Sequence, residues 1–287
     1  MTVLVTGAAG FIGYFASLAL LQKGRRVIGI DNLNDYYDVS LKKARLANLG
    51  EQEHFSFSCL DIADRDVVES LVNNNPDITG IVHLAAQPGV RYSLVNPYAY
   101  TRSNIEGHLV LLEASRKLDG LKHFVYASSS SVYGDSDDVP FSTDKRTDTP
   151  VSLYAATKKS MEMMSHAYAH LYRVPLTGLR FFTVYGPWGR PDMAYCIFTR
   201  KILAGEPIPV FNNGEMRRDF TYIDDIVSGV LACLEKPPID DGDPPCRLYN
   251  IGNNKTETLM NFIAQIEKAL GKKAEIDFQP MQAGDVH

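Results

Sequence analysis

The chain opens with a short strand pattern that leads directly into three spaced glycines. Residues Thr2–Thr6 form an apolar, β-branched run that is typical of a buried parallel strand. Gly7, Gly10 and Gly13 follow at once, and a helical pattern then continues to about Lys23. In this context Gly7 permits a tight turn, Gly10 lets the backbone approach a pyrophosphate, and Gly13 lets the helix pack on the strand. The opening therefore predicts a dinucleotide site at the N-terminus of the first helix.

The second strand pattern, Arg26–Ile30, ends at an acidic residue. Asp31 lies about 20 residues beyond the glycines, where a carboxylate would accept hydrogen bonds from both hydroxyls of an adenosine ribose. Because the same carboxylate would repel a 2′-phosphate, the sequence favours NAD over NADP. A strand-end Asp that only caps a turn is the alternative.

Strand and helix patterns alternate through the first 182 residues. Further strands are predicted over His54–Leu60, Gly80–Leu84, Phe124–Ala127 and Leu176–Phe182. Short links between alternating elements imply right-handed crossovers, and hence an α/β fold with a Rossmann-type doubly wound parallel sheet. Ligands of such sheets bind beyond the carboxyl ends of the strands. The residues at six predicted ends are Gly7, Asp31, Asp61, Ala85, Ser129 and Thr183.

The regular alternation stops after about residue 182. Residues 183–192 are rich in Gly, Pro and aromatic side chains, and short strands and helices follow. We predict a NAD-binding domain over 1–182 and a smaller mixed C-terminal substrate lobe, mainly over 183–287. The segment of about 220–251 is a candidate to return to the first domain.

Tyr154 and Lys158 lie four residues apart in a predicted helix, Val151–Tyr172. On a helix this spacing places both side chains on one face, one turn apart. A neighbouring ammonium favours the phenolate, so it lowers the pKa of a Tyr towards the range where the phenol exchanges a proton with an alcohol. Ser129, at the end of a predicted strand, could hold the same substrate oxygen. The spacing also occurs on ordinary helices, and the glycine turn is what favours catalysis here.

Charge and composition argue against several classes of partner. A net charge of −5 with no basic tract disfavours nucleic acid or an anionic membrane as the main partner. No stretch reaches the roughly 18–20 apolar residues of a membrane span, and the four cysteines lack the spacing of metal ligands. We expect a cytoplasmic protein with reduced thiols and without a metal.

These motifs together resemble the extended short-chain dehydrogenase/reductase family of nucleotide-sugar enzymes. The glycine turn, the run Ser128–Ser131, the Tyr154 and Lys158 pair, and Arg218-Asp219-Phe220 carry the resemblance. Three narrower stretches look like those of the UDP-glucuronate 4-epimerases within it; they are His83–Ser93, Tyr126–Gly134 and Arg180–Ala194.

The resemblance implies C4 epimerisation of UDP-glucuronate to UDP-galacturonate through a transient 4-keto sugar. Tyr154 would take the C4 hydroxyl proton with help from Ser129 while the hydride passes to NAD. The hydride would then return to the other face of the ketone, and Tyr154 would reprotonate the oxygen. Lys158 would also hold the nicotinamide ribose. The predicted cofactor-binding residues are Gly7, Gly10, Phe11, Ile12, Gly13, Asp31, Asn32, Asp61, Ile62, Leu84, Ala85, Ala86, Gln87, Asn104, Ser128, Tyr154 and Lys158.

The C5 carboxylate of glucuronate suits a planar Arg fork. Arg190 is the first candidate and Arg91 the second, with a salt bridge inside the protein as the alternative for each. Arg218 would hold the UDP phosphates. The predicted substrate-binding residues are Arg91, Ser93, Ser129, Ser130, Thr183, Arg190 and Arg218.

Three other functions stay open. They are 4-epimerisation of a neutral or N-acetylated UDP-hexose, decarboxylation of UDP-glucuronate, and non-catalytic NAD binding by a regulator. The resemblance disfavours elimination and decarboxylation, because dehydratases carry Asp-Glu at Ser130-Ser131 and decarboxylases carry Glu at Ser131. It also implies a homodimer that pairs the helices Pro97–Leu118 and Val151–Tyr172. Members of the family usually continue with a further strand and helices, so a sequence that ends at His287 is expected to be either truncated or an unusually short version.

Overall fold

A seven-stranded sheet forms the centre of the protein. The structure is a computed structural model, and it describes residues 1–136, 138–282 and 284. The chain end at His287 lies outside the described residues. In chain order the strands are β1 (Thr2–Thr6), β2 (Arg26–Asp31), β3 (Phe55–Cys59), β4 (Ile78–His83), β5 (His123–Ser129), β6 (Leu176–Phe181), β7 (Thr183–Tyr185), β8 (Ile208–Val210), β9 (Arg217–Tyr222), β10 (Cys246–Ile251), β11 (Thr256–Thr258) and β12 (Ile276–Phe278). The helices are α1 (Phe11–Gln22), α2 (Val39–Gly50), α3 (Arg65–Asn73), α4 (Tyr92–Val95), α5 (Pro97–Tyr100), α6 (Gly107–Ser115), α7 (Leu153–Tyr172), α8 (Ala194–Ala204), α9 (Ile223–Leu234) and α10 (Leu259–Leu270).

The order of the central sheet is β10-β6-β5-β4-β1-β2-β3. All its pairings are parallel, and the chain builds outwards from β1 in both directions. The predicted Rossmann-type doubly wound sheet is therefore confirmed. Such a sheet has its ligand crevice where the order reverses, beyond the carboxyl ends of β1 and β4.

Alternate residues of the buried strands supply two separate cores. In β1, Val3 and Val5 pack in one hydrophobic cluster with residues of α1 and α9. Leu4 belongs to a second cluster, together with residues of α3, α6 and α7. Because successive strand side chains point to opposite faces, helices cover the sheet on both sides. This double layer holds the carboxyl ends of the strands at a common edge.

The helix predicted over Pro97–Leu118 is divided in the structure. After α5 comes a π-helical segment, Thr101–Glu106, and α6 then ends at Ser115. The wider turn buries Asn104, whose Oδ1 accepts from the backbone N of Gln87 at 2.8 Å. Its Nδ2 donates to the Gln87 carbonyl at 3.1 Å and to the Thr157 hydroxyl at 3.0 Å. The π-segment thus ties the strand-end loop after β4 to α7.

The C-terminal part contains a smaller mixed sheet, β11-β9-β7, and a two-stranded sheet, β12-β8. α8 and α10 pack there around a third hydrophobic cluster. β10 lies beside β6 at the edge of the central sheet, and α9 packs against α1. The division into domains at residue 182 stays a prediction. Within the described ranges, no helix is long and apolar enough to span a membrane.

Candidate active site

The three glycines after β1 lie where a Cβ atom would come within 3 Å of neighbouring backbone atoms. Gly7 has a φ of +72°, and a Cβ at this position would lie 2.7 Å from the backbone N of Ala85. A Cβ on Gly13 would lie 2.0 Å from the carbonyl oxygen of Gly7. Gly10 is the N-cap of α1. Since a glycine cap leaves the first helical amides uncovered by its own side chain, they can bind an anion.

A cleft of about 410 Å³ lies beyond the glycine turn, within the size range of small-molecule sites. The described part of the chain holds no cluster of three or more His, Cys, Asp or Glu side chains that could bind a metal ion. The predicted residues that line the cleft are Gly7, Gly10, Phe11, Ile12, Gly13, Asp31, Asn32, Asp61, Ile62, Leu84, Ala85, Ala86, Ser128, Ser129, Ser130, Tyr154, Lys158, Thr183 and Arg190.

Both acidic residues predicted to bind the cofactor have basic neighbours. Asp31 is buried, accepts from the backbone N of Leu33 at 2.8 Å, and lies 3.8 Å from Lys42 Nζ. Burial raises the pKa of Asp31, and the charge of Lys42 opposes this shift. Arg102, from the π-segment, lies 3.1 Å from the Asp61 carboxylate. Sequence reasoning missed both basic residues, because each reaches its partner from a separate helix.

Tyr154 and Lys158 line the cleft from the first turns of α7. Lys158 Nζ donates to the Ala127 carbonyl at 2.8 Å, and burial lowers the pKa of Lys158 to about 7. Burial raises the pKa of Tyr154, whereas a hydrogen bond from Ser129 and the charge of Arg190 lower it. The sequence argument had given the lowering of the Tyr154 pKa to Lys158. In the structure burial outweighs the opposing effects and the pKa of Tyr154 is raised, and the cation that opposes burial is Arg190.

A buried ion pair of Arg180 and Glu162 contacts the first residue of the run Ser128–Ser131. Arg180 Nε and Nη2 each lie 2.8 Å from a carboxylate oxygen of Glu162. The Ser128 hydroxyl donates to the same carboxylate at 2.7 Å, so this side chain is turned towards Glu162. The pair was not predicted, although a charged residue four positions after Lys158 and another inside a buried strand were visible signals.

Arg190 lines the cleft and is paired within its own loop. Its Nε lies 3.0 Å from Asp192 Oδ1, and its Nη2 lies 2.6 Å from Oδ2. The Tyr36 hydroxyl, from the segment after β2, donates to Asp192 Oδ2 at 3.1 Å. Thr183, at the start of β7, also lines the cleft. The sequence analysis named Arg190 and Thr183 but neither Asp192 nor Tyr36.

Other predicted residues do not line the cleft among the residues that the structure describes; they are Gln87, Arg91, Ser93, Asn104 and Arg218. The Ser93 hydroxyl donates to the Val90 carbonyl at 2.6 Å. The Arg91 guanidinium lies 4.8 Å from the ring centre of Phe211. Arg218 donates to the carbonyl of the preceding residue at 2.7 Å. The ligand contacts assigned to these residues stay predictions.

Comparison with known proteins identifies the family. A model of the NAD dependent epimerase/dehydratase family matches residues 3–252. The chain belongs to this family. A probable UDP-glucuronate 4-epimerase of Rhizobium meliloti is 44% identical over 300 residues, covering 100% of this chain and 87% of that protein. UDP-glucuronate 4-epimerase 1 of Arabidopsis thaliana is 48% identical over 297 residues, covering 100% of this chain and 69% of that protein.

A solved structure extends the similarity to the whole described fold. The UDP-glucuronic acid 4-epimerase from Bacillus cereus, in complex with UDP-glucuronic acid and NAD, matches with a TM-score of 0.91 at 36% identity. The match covers 100% of this chain and 88% of that one. The sheet and the smaller C-terminal part are therefore both shared with an NAD-containing epimerase.

Proposed function

We propose that this protein is a UDP-glucuronate 4-epimerase, which converts UDP-glucuronate to UDP-galacturonate with the help of NAD. The observation that carries the proposal is one cleft that holds the glycine turn, the hydroxyls of Ser129 and Tyr154, and the guanidinium of Arg190. Similarity over the whole of this chain to proteins named as epimerases of this sugar nucleotide supports the same conclusion.

The residues present fit NAD. The side-chain-free turn at Gly7 and Gly13 leaves room for a pyrophosphate at the start of α1. The buried carboxylate of Asp31 is suited to accept from ribose hydroxyls, and Lys158 is proposed to hold the nicotinamide ribose. When bound, NAD takes hydride from the sugar C4 and returns it, so none is consumed over a cycle. Contacts of the remaining predicted cofactor residues are part of this proposal.

Tyr154 is proposed as the general base and then the general acid. Burial is the largest effect on the pKa of Tyr154 and raises it, whereas Ser129 and the positive charge of Arg190 lower it, so both favour the phenolate. Lys158, with a pKa near 7, is partly protonated at neutral pH and can exchange a proton itself. The site can therefore take the C4 hydroxyl proton and give it back.

Arg190 is proposed to hold the C5 carboxylate of the sugar, with Arg91 as the second candidate. The 4-keto form of glucuronate is a β-keto acid, and it loses carbon dioxide most readily when the C5–C6 bond overlaps with the carbonyl π-system. A fork that holds the carboxylate near the sugar plane would suppress that loss. Arg218 is proposed to pair with the UDP phosphates.

Smaller polar side chains complete the proposed sugar site. Thr183 and Ser130 line the cleft at the ends of neighbouring strands, where they can hydrogen-bond sugar hydroxyls. Ser93 is proposed to act near the substrate from α4. Its hydroxyl is bonded to a backbone carbonyl in this structure.

A 4-epimerase of a neutral or N-acetylated UDP-hexose is the second candidate. The observation in its favour is that Asp192 already compensates the charge of Arg190. If a neutral sugar is the substrate, Arg190→Ala should leave turnover of UDP-glucose intact. If glucuronate is the substrate, the same variant should lose most of its turnover of UDP-glucuronate.

The direct test is to incubate the purified protein with UDP-glucuronate, without added NAD, and to identify the products by NMR. We expect UDP-galacturonate, and a loss of roughly 10²–10⁴-fold in rate for Tyr154→Phe with its NAD content unchanged. A pentose product would instead indicate decarboxylation. Absence of turnover even with NAD added, or full activity of Tyr154→Phe, would contradict the proposal.

We also propose a homodimer in which α6 and α7 pair with the same helices of a second copy. Leu109, Met163 and Leu171 on these helices are 40%, 63% and 63% exposed, and exposed large apolar side chains favour a protein contact. Light scattering should give twice the chain mass, and Met163→Glu should reduce it. A monomeric wild type would contradict this.

We also propose the cytoplasm as the compartment of this protein. Its four free cysteine thiols support this proposal, because the cytoplasm keeps thiols reduced.

A further inference from the structure

The guanidinium of Arg190 is held by an internal carboxylate in the cleft. Two of its N–H groups are used by Asp192, through Nε at 3.0 Å and Nη2 at 2.6 Å. Both side chains are mostly buried, at 22% and 27% exposed. An Arg has five N–H donors in a planar fork, so the Nη1 edge still has donors for a second carboxylate. The pairing fixes the plane in which that edge lies.

Asp192 is itself fixed and ionised. Burial opposes its ionisation, but the hydrogen bonds and charge of Arg190 outweigh burial and lower the pKa of Asp192. The Tyr36 hydroxyl donates to the same carboxylate at 3.1 Å. The Tyr36 ring packs on Tyr92 with its centre 5.0 Å away. Asp192 is therefore a full negative charge beside the group that is proposed to bind the sugar carboxylate.

A second carboxylate on this fork has two opposing consequences. It is attracted by Arg190 and repelled by Asp192, so its binding is weaker than an unpaired Arg would give. In the proposed reaction, the 4-keto sugar must turn over between the two hydride transfers, and its carboxylate must leave the fork. When it leaves, Asp192 keeps the buried cation of Arg190 paired, and an unpaired buried charge is avoided.

We propose that Asp192 is a positioning residue that competes with the sugar carboxylate for Arg190 and thereby lets the ketone turn over. This inference rests on the proposed function, because it needs a sugar acid as substrate. It assigns Asp192 a role in specificity: it limits how strongly the site prefers a sugar acid over a neutral sugar.

The test compares the binding of UDP-glucuronate and UDP-glucose in a Tyr154→Phe background, in which the sugar is not turned over. Asp192→Asn removes the charge and keeps the size of the side chain. By titration calorimetry we expect it to raise the preference for UDP-glucuronate about tenfold, equivalent to about 1.4 kcal/mol. This size is reasonable for two unit charges several ångströms apart at a partly buried site. In the chain with Tyr154 intact, kcat for UDP-glucuronate should fall together with KM.

Tyr36→Phe is the matched control, because it removes a hydrogen bond from the same carboxylate without changing its charge. The preference ratio of Tyr36→Phe should stay within about threefold of the parent, and thermal melting should show that both variants are folded. A merely structural role of Asp192 would weaken both ligands alike.

An unchanged or lower preference in Asp192→Asn would overturn the inference while leaving epimerisation by the parent intact. An equal rise in the preference for UDP-glucuronate in Tyr36→Phe would also overturn the inference, because it would show that the change in preference comes from packing and not from the charge of Asp192. A parent protein that neither binds nor epimerises UDP-glucuronate would overturn this inference and the proposed function together.

Discussion

Replacing Glu162 by Gln would leave the guanidinium of Arg180 in the core without its counter-charge. The two side chains are 3% and 1% exposed, and two N–O distances of 2.8 Å join them. Breaking a buried ion pair by removing one partner costs about 3–5 kcal/mol, because the other charge stays buried. Gln keeps the shape and one acceptor oxygen, so we expect a loss of about 3 kcal/mol in the free energy of unfolding.

Urea titration and thermal melting measure this loss. For a chain of this size, each kcal/mol shifts Tm by roughly 2–4 °C, so Tm should fall by about 6–12 °C. NAD must be removed from both proteins first, because bound ligand stabilises the folded state by mass action. The matched control is the double variant Glu162→Leu with Arg180→Met, which removes both charges and should be more stable than Glu162→Gln.

A loss below about 1 kcal/mol would refute the reasoning, because it would mean that water or another group compensates Arg180. A double variant no more stable than Glu162→Gln would refute it equally, since the loss of stability would then not come from the unpaired charge of Arg180.

Glu162 also raises the pKa of Lys158. If activity needs protonated Lys158, the alkaline limb of the activity profile of Glu162→Gln should therefore move to lower pH.

The cofactor side of the cleft makes three further outcomes testable. The pKa of Lys158 is about 7 in the folded protein against 10.5 in the unfolded chain, so between pH 7 and 10 the unfolded state binds more protons. The free energy of unfolding of the NAD-free wild type, relative to that of Lys158→Met, should therefore rise from pH 7 to pH 10 by on the order of 2–4 kcal/mol in urea titrations. Gly13→Ala should reduce NAD affinity at least about a hundredfold in fluorescence titrations, because the new Cβ would lie 2.0 Å from the Gly7 carbonyl oxygen. Gly50→Ala is the control, because its Cβ would have no neighbour within 4 Å, and this variant should bind NAD with unchanged affinity. Asp31→Ser should shift preference towards NADP, since it removes the carboxylate that repels a 2′-phosphate and leaves the charge of Lys42, 3.8 Å away and hydrogen-bonded to Asn34, less compensated. Unchanged preference would contradict this role.

Residues at the strand ends could be brought together from sequence because sheet geometry makes them neighbours. Parallel strands place their carboxyl ends at one edge, whatever else packs around them. Gly7, Asp31 and Ser129 follow β-branched or apolar runs that were readable as strands, and all three line the cleft. The position of Tyr154 relative to Lys158 needed only the helical repeat.

Side-chain partners across elements could not be read in this way. The Glu162–Arg180 pair depends on how α7 docks over β6, which no local pattern encodes. Asn104 reaches Gln87 only because a π-segment shifts the helix face, and apolar periodicity does not reveal one extra residue in a turn. Arg190 lines the cleft, and its predicted contact with the sugar carboxylate stays a prediction. Its bond to Asp192 depends on the conformation of the loop, which the sequence pattern does not reveal.

The residues of the stretch Arg180–Ala194 serve different purposes, because some are held in the core and others line the cleft. Arg180 is held in the core by Glu162, Thr183 lines the cleft, and Arg190 is held by an internal carboxylate. Loss of activity after a substitution in this stretch is therefore not evidence of substrate contact by itself. Substitutions of Arg180 should mainly lower the free energy of unfolding. Substitutions of Arg190 should alter sugar preference with a smaller loss of stability, because the Asp192 carboxylate that they leave unpaired is 27% exposed. Measuring both quantities for each variant separates the packing residues of the motif from those that meet the sugar.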